Sequence, residues 1–231
     1  MNATLLPSED ILVRETLSFS RQLLGVSGAL FYWIDNSRQE MQVLDTLGVP
    51  TGFLEQYTHG MQSLDPMGVR RMLERHESVG VLSMAPAVQS LNDMRHYHGY
   101  LHSFGIIDTI DLMFWGGESA YGGIGLLRTL TDPPPSMELP ALGTFQRFLE
   151  ASFDRHPHVR QIQRDLRLQH SGLSHRERQA ALLIGTGASN QEVADAMGIT
   201  LATAKTYVVR IFEKLGVESR TALAAYLSKL S

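Results

Sequence analysis

Cysteine is absent from this 231-residue sequence, and its absence excludes several kinds of chemistry at once. Without a thiol there are no disulfides, no cysteine nucleophile and no cysteine-ligated zinc or iron–sulfur centre. The sequence also lacks a glycine-rich phosphate loop and a G-x-S-x-G nucleophile motif. We therefore expect a protein that is not an enzyme and that needs no cofactor.

Long apolar runs are lacking as well, since none approaches the ~18–20 residues that a helix needs to cross a bilayer. The N-terminal segment has no basic stretch followed by an apolar one, so the sequence predicts no secretion signal. We expect a cytoplasmic protein that does not bind a membrane. Apolar residues still make up 43% of the chain, which is enough for packed cores.

Charge is distributed unevenly along the chain, whose net charge is −4. Residues 1–159 contain 10 Lys and Arg against 18 Asp and Glu, a net charge of −8. Residues 160–231 contain 10 against 6, a net charge of +4. This asymmetry indicates that only the C-terminal part contacts a polyanion, although two ordinary domains could differ this much by chance.

The N-terminal part alternates between helical and strand-like patterns. Its apolar spacing predicts helices over 8–25, 51–61, 66–76, 87–104 and 136–153, with Pro66 starting the third. Runs of β-branched and aromatic residues predict two hairpins, formed by strands 28–35 with 39–45 and 106–115 with 121–130. This order predicts an α+β fold, an α/β/α sandwich with an antiparallel sheet.

The polar, basic stretch 154–172, which includes Pro157, predicts a linker with a short helix over 159–169. We therefore expect a regulatory domain over 1–153 and a second domain over 173–231. Four helices are predicted in the second domain, over 174–184, 189–196, 200–215 and 220–229. Two capping-box patterns, Ser174 with Glu177 and Ser189 with Glu192, mark the starts of the first two.

A short turn, Met197-Gly198-Ile199, joins the second and third of these helices, as in helix-turn-helix DNA-binding units. In such a unit the later helix enters the major groove, with short polar residues at its start and long cations further along. The start of the earlier helix offers N–H groups to a phosphate. The predicted DNA contacts are Ser189, Asn190, Thr203, Lys205, Thr206, Arg210 and Lys214.

Residues 173–221 resemble the LuxR (FixJ/NarL-type) helix-turn-helix domain. The matching stretches are Leu173-Ser174-x-Arg176-Glu177-Arg178, Gly187-x-Ser189-Asn190-x-Glu192-Val193-Ala194, Gly198-Ile199-Thr200, Thr203-x-Lys205-Thr206-x-Val208-x-Arg210-Ile211 and Lys214-Leu215-Gly216-Val217-x-Ser219-Arg220-Thr221. The resemblance implies a transcriptional regulator that binds double-stranded DNA at a two-fold operator. It also implies a homodimer, with the last helix, 220–229, at the dimer interface.

The N-terminal element order resembles GAF/PAS-like sensors, including the autoinducer-binding domains of quorum-sensing regulators. Phe53-x-x-x-Tyr57 and Asp65-Pro66 are similar to the W-x-x-x-Y…D-P stretch of acyl-homoserine-lactone receptors. The resemblance implies that the aromatic pair packs on a ligand and that Asp65 accepts its amide N–H. However, Phe53 replaces a donating tryptophan and Gly80 stands near a second tryptophan position. We therefore expect a small-molecule ligand that differs from the usual lactones.

Several other features of the N-terminal domain leave alternatives open. Trp33 and Trp115 fall on the predicted sheet, where aromatics line a ligand cavity or fill the core. Asp65-Pro66 is a ligand site or only a helix start. His98 and His102 have metal-ligand spacing, but an exposed helix face is the favoured interpretation and no metal site is predicted. The domain as a whole senses a small molecule or, alternatively, is a ligand-independent module that binds another protein.

Overall fold

The computed structural model describes residues 10–35, 38–85, 90–134, 138–169 and 171–229. The described residues form two compact units, one of residues up to Phe153 and one of residues from Asp154 onward. No helix of the described residues is long and apolar enough to span a membrane. The predicted helix starts at positions 8, 87 and 136 lie outside the described residues.

An antiparallel sheet with the strand order β2-β1-β5-β4-β3 forms the centre of the N-terminal unit. The strands are β1 (Gly28–Asp35), β2 (Glu40–Leu47), β3 (Val79–Val81), β4 (Ile106–Gly116) and β5 (Ser119–Thr129). The helices are α1 (Ile11–Leu24), α2 (Phe53–Thr58), α3 (Val69–Arg75), α4 (Leu91–Ser103) and α5 (Leu139–Phe153). This architecture confirms the predicted α+β class with an antiparallel sheet.

Two details of the N-terminal unit differ from the sequence prediction. The edge strand β3 was not predicted, because three residues are too few to show an alternating pattern. Helix α3 begins at Val69 rather than at Pro66. A turn precedes it, in which the Asp65 carboxylate accepts the Met67 N–H at 2.8 Å and the Asp65 carbonyl accepts the Gly68 N–H at 3.3 Å.

Alternation along β1 divides its large side chains between the two faces of the sheet. Phe31 and Trp33 lie on one face, where their rings are 5.1 and 6.1 Å from that of Phe153 in α5. Tyr32 lies on the other face, in a cluster with Met72 of α3. The first face is therefore a closed aromatic core, and the second contains the candidate ligand site.

The C-terminal unit consists of helices around a small apolar core. They are α6 (Pro157–Gln169), α7 (His175–Gly185), α8 (Asn190–Met197), α9 (Leu201–Leu215) and α10 (Arg220–Lys229). Both predicted capping boxes are confirmed: in each one the serine and the glutamate bond the other residue's backbone N–H. The buried core residues are Leu168, Leu173, Ala180, Ala181, Ile184, Val193, Ala194, Ala204, Ile211, Leu223 and Leu227.

Candidate functional site

Helices α8 and α9 form the predicted helix-turn-helix pair. The turn between them contains Gly198 at φ 62°, a left-handed conformation that favours glycine. Thr200 then caps α9, its hydroxyl accepting the Thr203 N–H at 3.1 Å. Val193 of α8 and Ala204 of α9 are fully buried, so the two helices are held together by apolar packing.

The side of α9 that points away from this core carries a polar and basic face. Lys205, Thr206 and Arg210 are exposed, with the apolar Val209 between them. Lys205 and Val209 are four residues apart, as are Thr206 and Arg210, so these side chains lie on one side of the helix. Thr203 is only partly exposed, and its hydroxyl lies 2.8 Å from that of Thr200. The structure thus places four predicted DNA contacts along the outer side of α9 and its first turn.

The start of α8 holds the two other predicted phosphate contacts, Ser189 and Asn190. The Ser189 hydroxyl accepts the Glu192 N–H at 3.2 Å, so it is used as the helix cap. Arg220 of α10 donates to the Asn190 side-chain oxygen and to the Ala188 carbonyl. Arg220 was not predicted as a site residue. It positions the start of α8 from a helix thirty residues later in the sequence.

Lys214 is the one predicted DNA contact on α9 that the structure shows in an ion pair. Its Nζ lies 2.7 Å from Oε2 of Glu177, the capping-box glutamate of α7, whose side chain is 4% exposed. The hydrogen bonds from Lys214 and from the Ser174 backbone lower the pKa of Glu177 to about 2, from an ordinary value of 4.5. Lys214 therefore joins α9 to α7, which limits its reach toward DNA.

Glu177→Gln is expected to lower the free energy of unfolding of the C-terminal unit by about 2 kcal/mol at pH 7, through the lost ion pair and the weakened cap. Because the folded pKa is depressed, this contribution is complete above pH 4.5 and is lost as the pH falls toward 2. Urea unfolding at pH 7 and pH 3 measures both effects. The exposed neighbour Glu213→Gln serves as the control, and an equal loss in both variants would contradict this role.

The candidate ligand site is a cavity of about 40 Å³ between the second face of the sheet and helices α2–α4. It contains three of the predicted ligand contacts, Phe53, Tyr57 and Asp65. Its walls are otherwise mostly apolar or aromatic. The complete lining is Leu30, Tyr32, Met41, Phe53, Leu54, Tyr57, Asp65, Met67, Gly68, Val69, Tyr97, Thr109, Asp111, Gly125 and Leu127.

Asp65 is buried at the centre of a hydrogen-bonded group in this cavity. Its Oδ2 accepts the Tyr57 hydroxyl at 2.8 Å, and its Oδ1 accepts the Met67 N–H at 2.8 Å. The Tyr97 side chain is also near enough to the carboxylate to lower its pKa. Burial raises the pKa of Asp65 above its ordinary value, although the bonds from Met67 and Tyr57 oppose the shift. Asp65 is thus part of the cavity wall and not a helix-start residue.

A second carboxylate, Asp111 of β4, also lines the cavity and was not predicted as a ligand contact. Burial, followed by the charge of Asp65, raises the pKa of Asp111 well above its ordinary value. Asp108, three residues earlier on β4, lies on the opposite face of the strand, where its carboxylate accepts the Ser83 N–H at 3.0 Å and the Ser83 hydroxyl at 2.9 Å.

Trp33 and Trp115, which were predicted as ligand contacts together with Phe53, do not line the cavity, so the structure corrects that prediction. Trp33 is odd-numbered on β1 and so lies on the opposite sheet face from Tyr32, packed edge-on against Phe153. The Trp115 ring lies against His76, with centroids 4.0 Å apart. The core interpretation of these aromatics therefore fits the structure better than the ligand interpretation.

The histidines of α4 form no metal centre in the part of the chain that is described. His98 and His102 lie with ring centroids 6.3 Å apart. No group of three or more His, Asp or Glu side chains among the described residues could hold a metal ion. His102 is exposed and His98 partly so, which fits the prediction of an exposed helix face.

Comparison with known proteins finds a family model that matches the C-terminal unit. The model of "Bacterial regulatory proteins, luxR family" matches residues 171–227. A "Monoamine regulon transcriptional regulator" of Klebsiella aerogenes is 26% identical over 94% of this chain and 90% of that protein. The response regulator VraR of Staphylococcus aureus is 48% identical over 23% of this chain and 26% of its own length. The crystal structure of Escherichia coli SdiA covers 94% of this chain and 88% of that chain, at 13% identity and a TM-score of 0.47.

Proposed function

We propose that the chain is a LuxR-type DNA-binding transcriptional regulator, since the luxR family model matches residues 171–227, and that its N-terminal unit senses a small molecule. The observation that carries the proposal is the cavity that surrounds Asp65. A mostly apolar pocket with a few convergent polar groups is the usual form of a small-molecule site. We further propose that the ligand controls DNA binding by a homodimer.

For the output side, we propose that α9 enters the major groove of a two-fold operator. Lys205, Thr206 and Arg210 contact bases and nearby phosphates, with Thr203 at the leading end. Ser189 and Asn190 at the start of α8 lie against the phosphate backbone, with the Asn190 N–H as the donor, because the Ser189 N–H is bonded to Glu192. The net charge of +4 over residues 160–231 supports attraction to DNA. We assign Lys214 to the ion pair with Glu177 and not to base recognition.

For the input side, the cavity favours a ligand other than an acyl-homoserine lactone. Phe53 offers no indole N–H to a lactone carbonyl. Gly80 of β3 has no side chain, and the Met67 side chain occupies the space beside it. The relative from Klebsiella aerogenes is named as a regulator of a monoamine regulon, which is consistent with a metabolic signal.

The surface of α1 and α5 supports a homodimer formed by the N-terminal units. Phe19 of α1 is 46% exposed and Phe148 of α5 is 59% exposed. They belong to one apolar surface, because the Phe19 ring lies 5.9 Å from the ring of Phe145, one helical turn before Phe148. Such a surface favours a second copy of the chain, although another protein could also bind it.

Phe148→Glu is expected to shift the protein from dimer to monomer and to weaken operator binding in parallel, since a dimer reads both half-sites. Light scattering coupled to size exclusion, at micromolar protein, measures the mass in solution. Leu130→Glu introduces the same charge at a residue that is 83% exposed outside this surface, and it should leave the dimer intact. A monomeric wild type, or equal behaviour of the two variants, would contradict the proposed interface.

The sensing function is tested by native mass spectrometry of the full chain, purified from cells without added ligand. We expect an excess mass that is released on unfolding and can be extracted as a small molecule. Returning the extract to the ligand-free protein should then change its affinity for an operator selected from random duplex DNA. A protein that carries no excess mass and whose DNA binding no cell extract changes would instead support the protein-binding alternative.

A further inference from the structure

We infer that the cavity binds an organic cation, a primary amine with an apolar or aromatic body, whose ammonium group sits between Asp65 and Asp111. This inference rests on the proposed sensing function and specifies the class of ligand. Both carboxylates line the same cavity, and the charge of Asp65 acts on Asp111. Asp65 alone could accept an N–H group of a neutral ligand, so the second acidic group, Asp111, is what favours a cation.

The first argument is charge balance inside the cavity. None of the residues that line it is a lysine, arginine or histidine. The charged groups that act on Asp111 are Asp65 and Asp108, both of them acidic. Arg71 lies outside the cavity lining; its guanidinium donates to the carbonyls of Asp65 and Ser63, and its charge lowers the pKa of Asp65. No comparable cation acts on Asp111, which is partly buried beside the buried Asp65. Such a carboxylate pair is costly unless a cation accompanies it, and a ligand ammonium supplies that cation.

The second argument is an unsatisfied hydroxyl in the same cavity. Thr109 lies on β4 beside Asp111 and is only 5% exposed. Its Oγ1 makes no hydrogen bond of acceptable geometry with the described residues, although it lies near enough to the Asp111 carboxylate to lower the pKa of that group. A buried polar group without a partner is unusual and indicates a missing ligand or water. A primary ammonium has three N–H donors, which match the acceptors offered by Asp65, Asp111 and Thr109.

The third argument is the aromatic wall around the two carboxylates. Phe53 and Tyr57 line the cavity with stacked rings whose centroids are 6.4 Å apart, and Tyr100, outside the lining, stacks on Phe53 at 5.1 Å. Tyr32 and Tyr97 complete the lining near the acids. Aromatic faces attract cations, and combined with a carboxylate they form a recurrent way of binding ammonium groups.

The size of the cavity determines how such a ligand enters. Its 40 Å³ is well below the ~150 Å³ of an engineered cavity that holds benzene. The walls must therefore move to admit the body of the amine. Met41 and Met67 line the cavity, and methionine has a long unbranched side chain that repacks easily. Binding therefore changes the packing between helices α2–α3 and the sheet, which provides a means of signalling.

The test compares 2-phenylethylamine with 2-phenylethanol, a neutral molecule of nearly the same shape, by calorimetric titration of the full chain. We expect the amine to bind at least tenfold more tightly than the alcohol. Asp111→Asn, which keeps the size and removes the charge, should weaken amine binding at least tenfold and leave alcohol binding unchanged. Glu55→Gln removes an exposed charge from α2 and should change neither.

Asp65→Asn provides a second variant if Asp111→Asn does not fold, and tryptophan fluorescence verifies folding in each case. Equal binding of amine and alcohol, or undiminished amine binding in both folded variants, would overturn the inference. So would no detectable amine binding by the wild type. If a neutral molecule is then extracted from the purified protein, only the ligand class is wrong. If neither the probes nor any extracted molecule binds, the sensing function fails as well.

Discussion

Alanine in place of Arg210 or Lys205 is expected to weaken operator binding by about 1–3 kcal/mol, which is roughly five- to 150-fold in Kd. Both side chains are exposed on the outer side of α9, and the buried Ala204 and Ile211 fix the rotation of that helix. Their removal should therefore delete a contact without disturbing the fold. In the dimer, each substitution removes one DNA contact at each of the two half-sites.

Fluorescence anisotropy with a selected operator and with a scrambled duplex, at several salt concentrations, measures this effect. A lost phosphate contact weakens binding to both duplexes and reduces the salt slope by about one per site. A lost base contact weakens binding to the operator alone. Arg160→Ala removes an exposed cation from α6 and is the matched control. Unchanged affinity in both α9 variants would show that another surface of the unit binds DNA.

The C-terminal unit is the part of the molecule that the sequence predicts best, and the reason is local. A capping box lies within four consecutive residues, and the left-handed Gly198 ends α8 through its own backbone conformation. These signals do not depend on distant parts of the chain. The roles of Lys214 and Arg220 do depend on them, because their partners Glu177 and Asn190 are about thirty or more residues away.

The ligand cavity was predictable only in part, for a similar reason. Phe53, Tyr57 and Asp65 follow one another closely in sequence, and a family pattern marks them. Asp111 is brought to the same cavity by the pairing of β4 with β5, in which it lies opposite Gly125. The sequence could not exclude Trp33 as a ligand contact, because a strand that is buried on both faces shows no alternation of polar and apolar residues. The face of each residue became clear only from the register of the sheet.

Asp65→Ala is expected to have the largest effect on the N-terminal unit, lowering its free energy of unfolding by about 3 kcal/mol. The change leaves the Tyr57 hydroxyl and the Met67 N–H without their acceptor in a buried site. Each such orphaned group costs about 1–3 kcal/mol. Relief from burying a carboxylate offsets part of this loss, since burial already raises the pKa of Asp65.

The two tryptophans make this loss measurable in one unit alone, because Trp33 and Trp115 both lie in the N-terminal unit. Urea unfolding followed by their fluorescence should show the destabilisation in Asp65→Ala and not in the exposed control Glu55→Ala. Below the unfolding transition, the variant should bind the operator with wild-type affinity in the absence of ligand and should no longer respond to the extracted ligand. A normal response from a folded Asp65→Ala protein would mean that this carboxylate only supports the wall and that the signal is read elsewhere in the cavity.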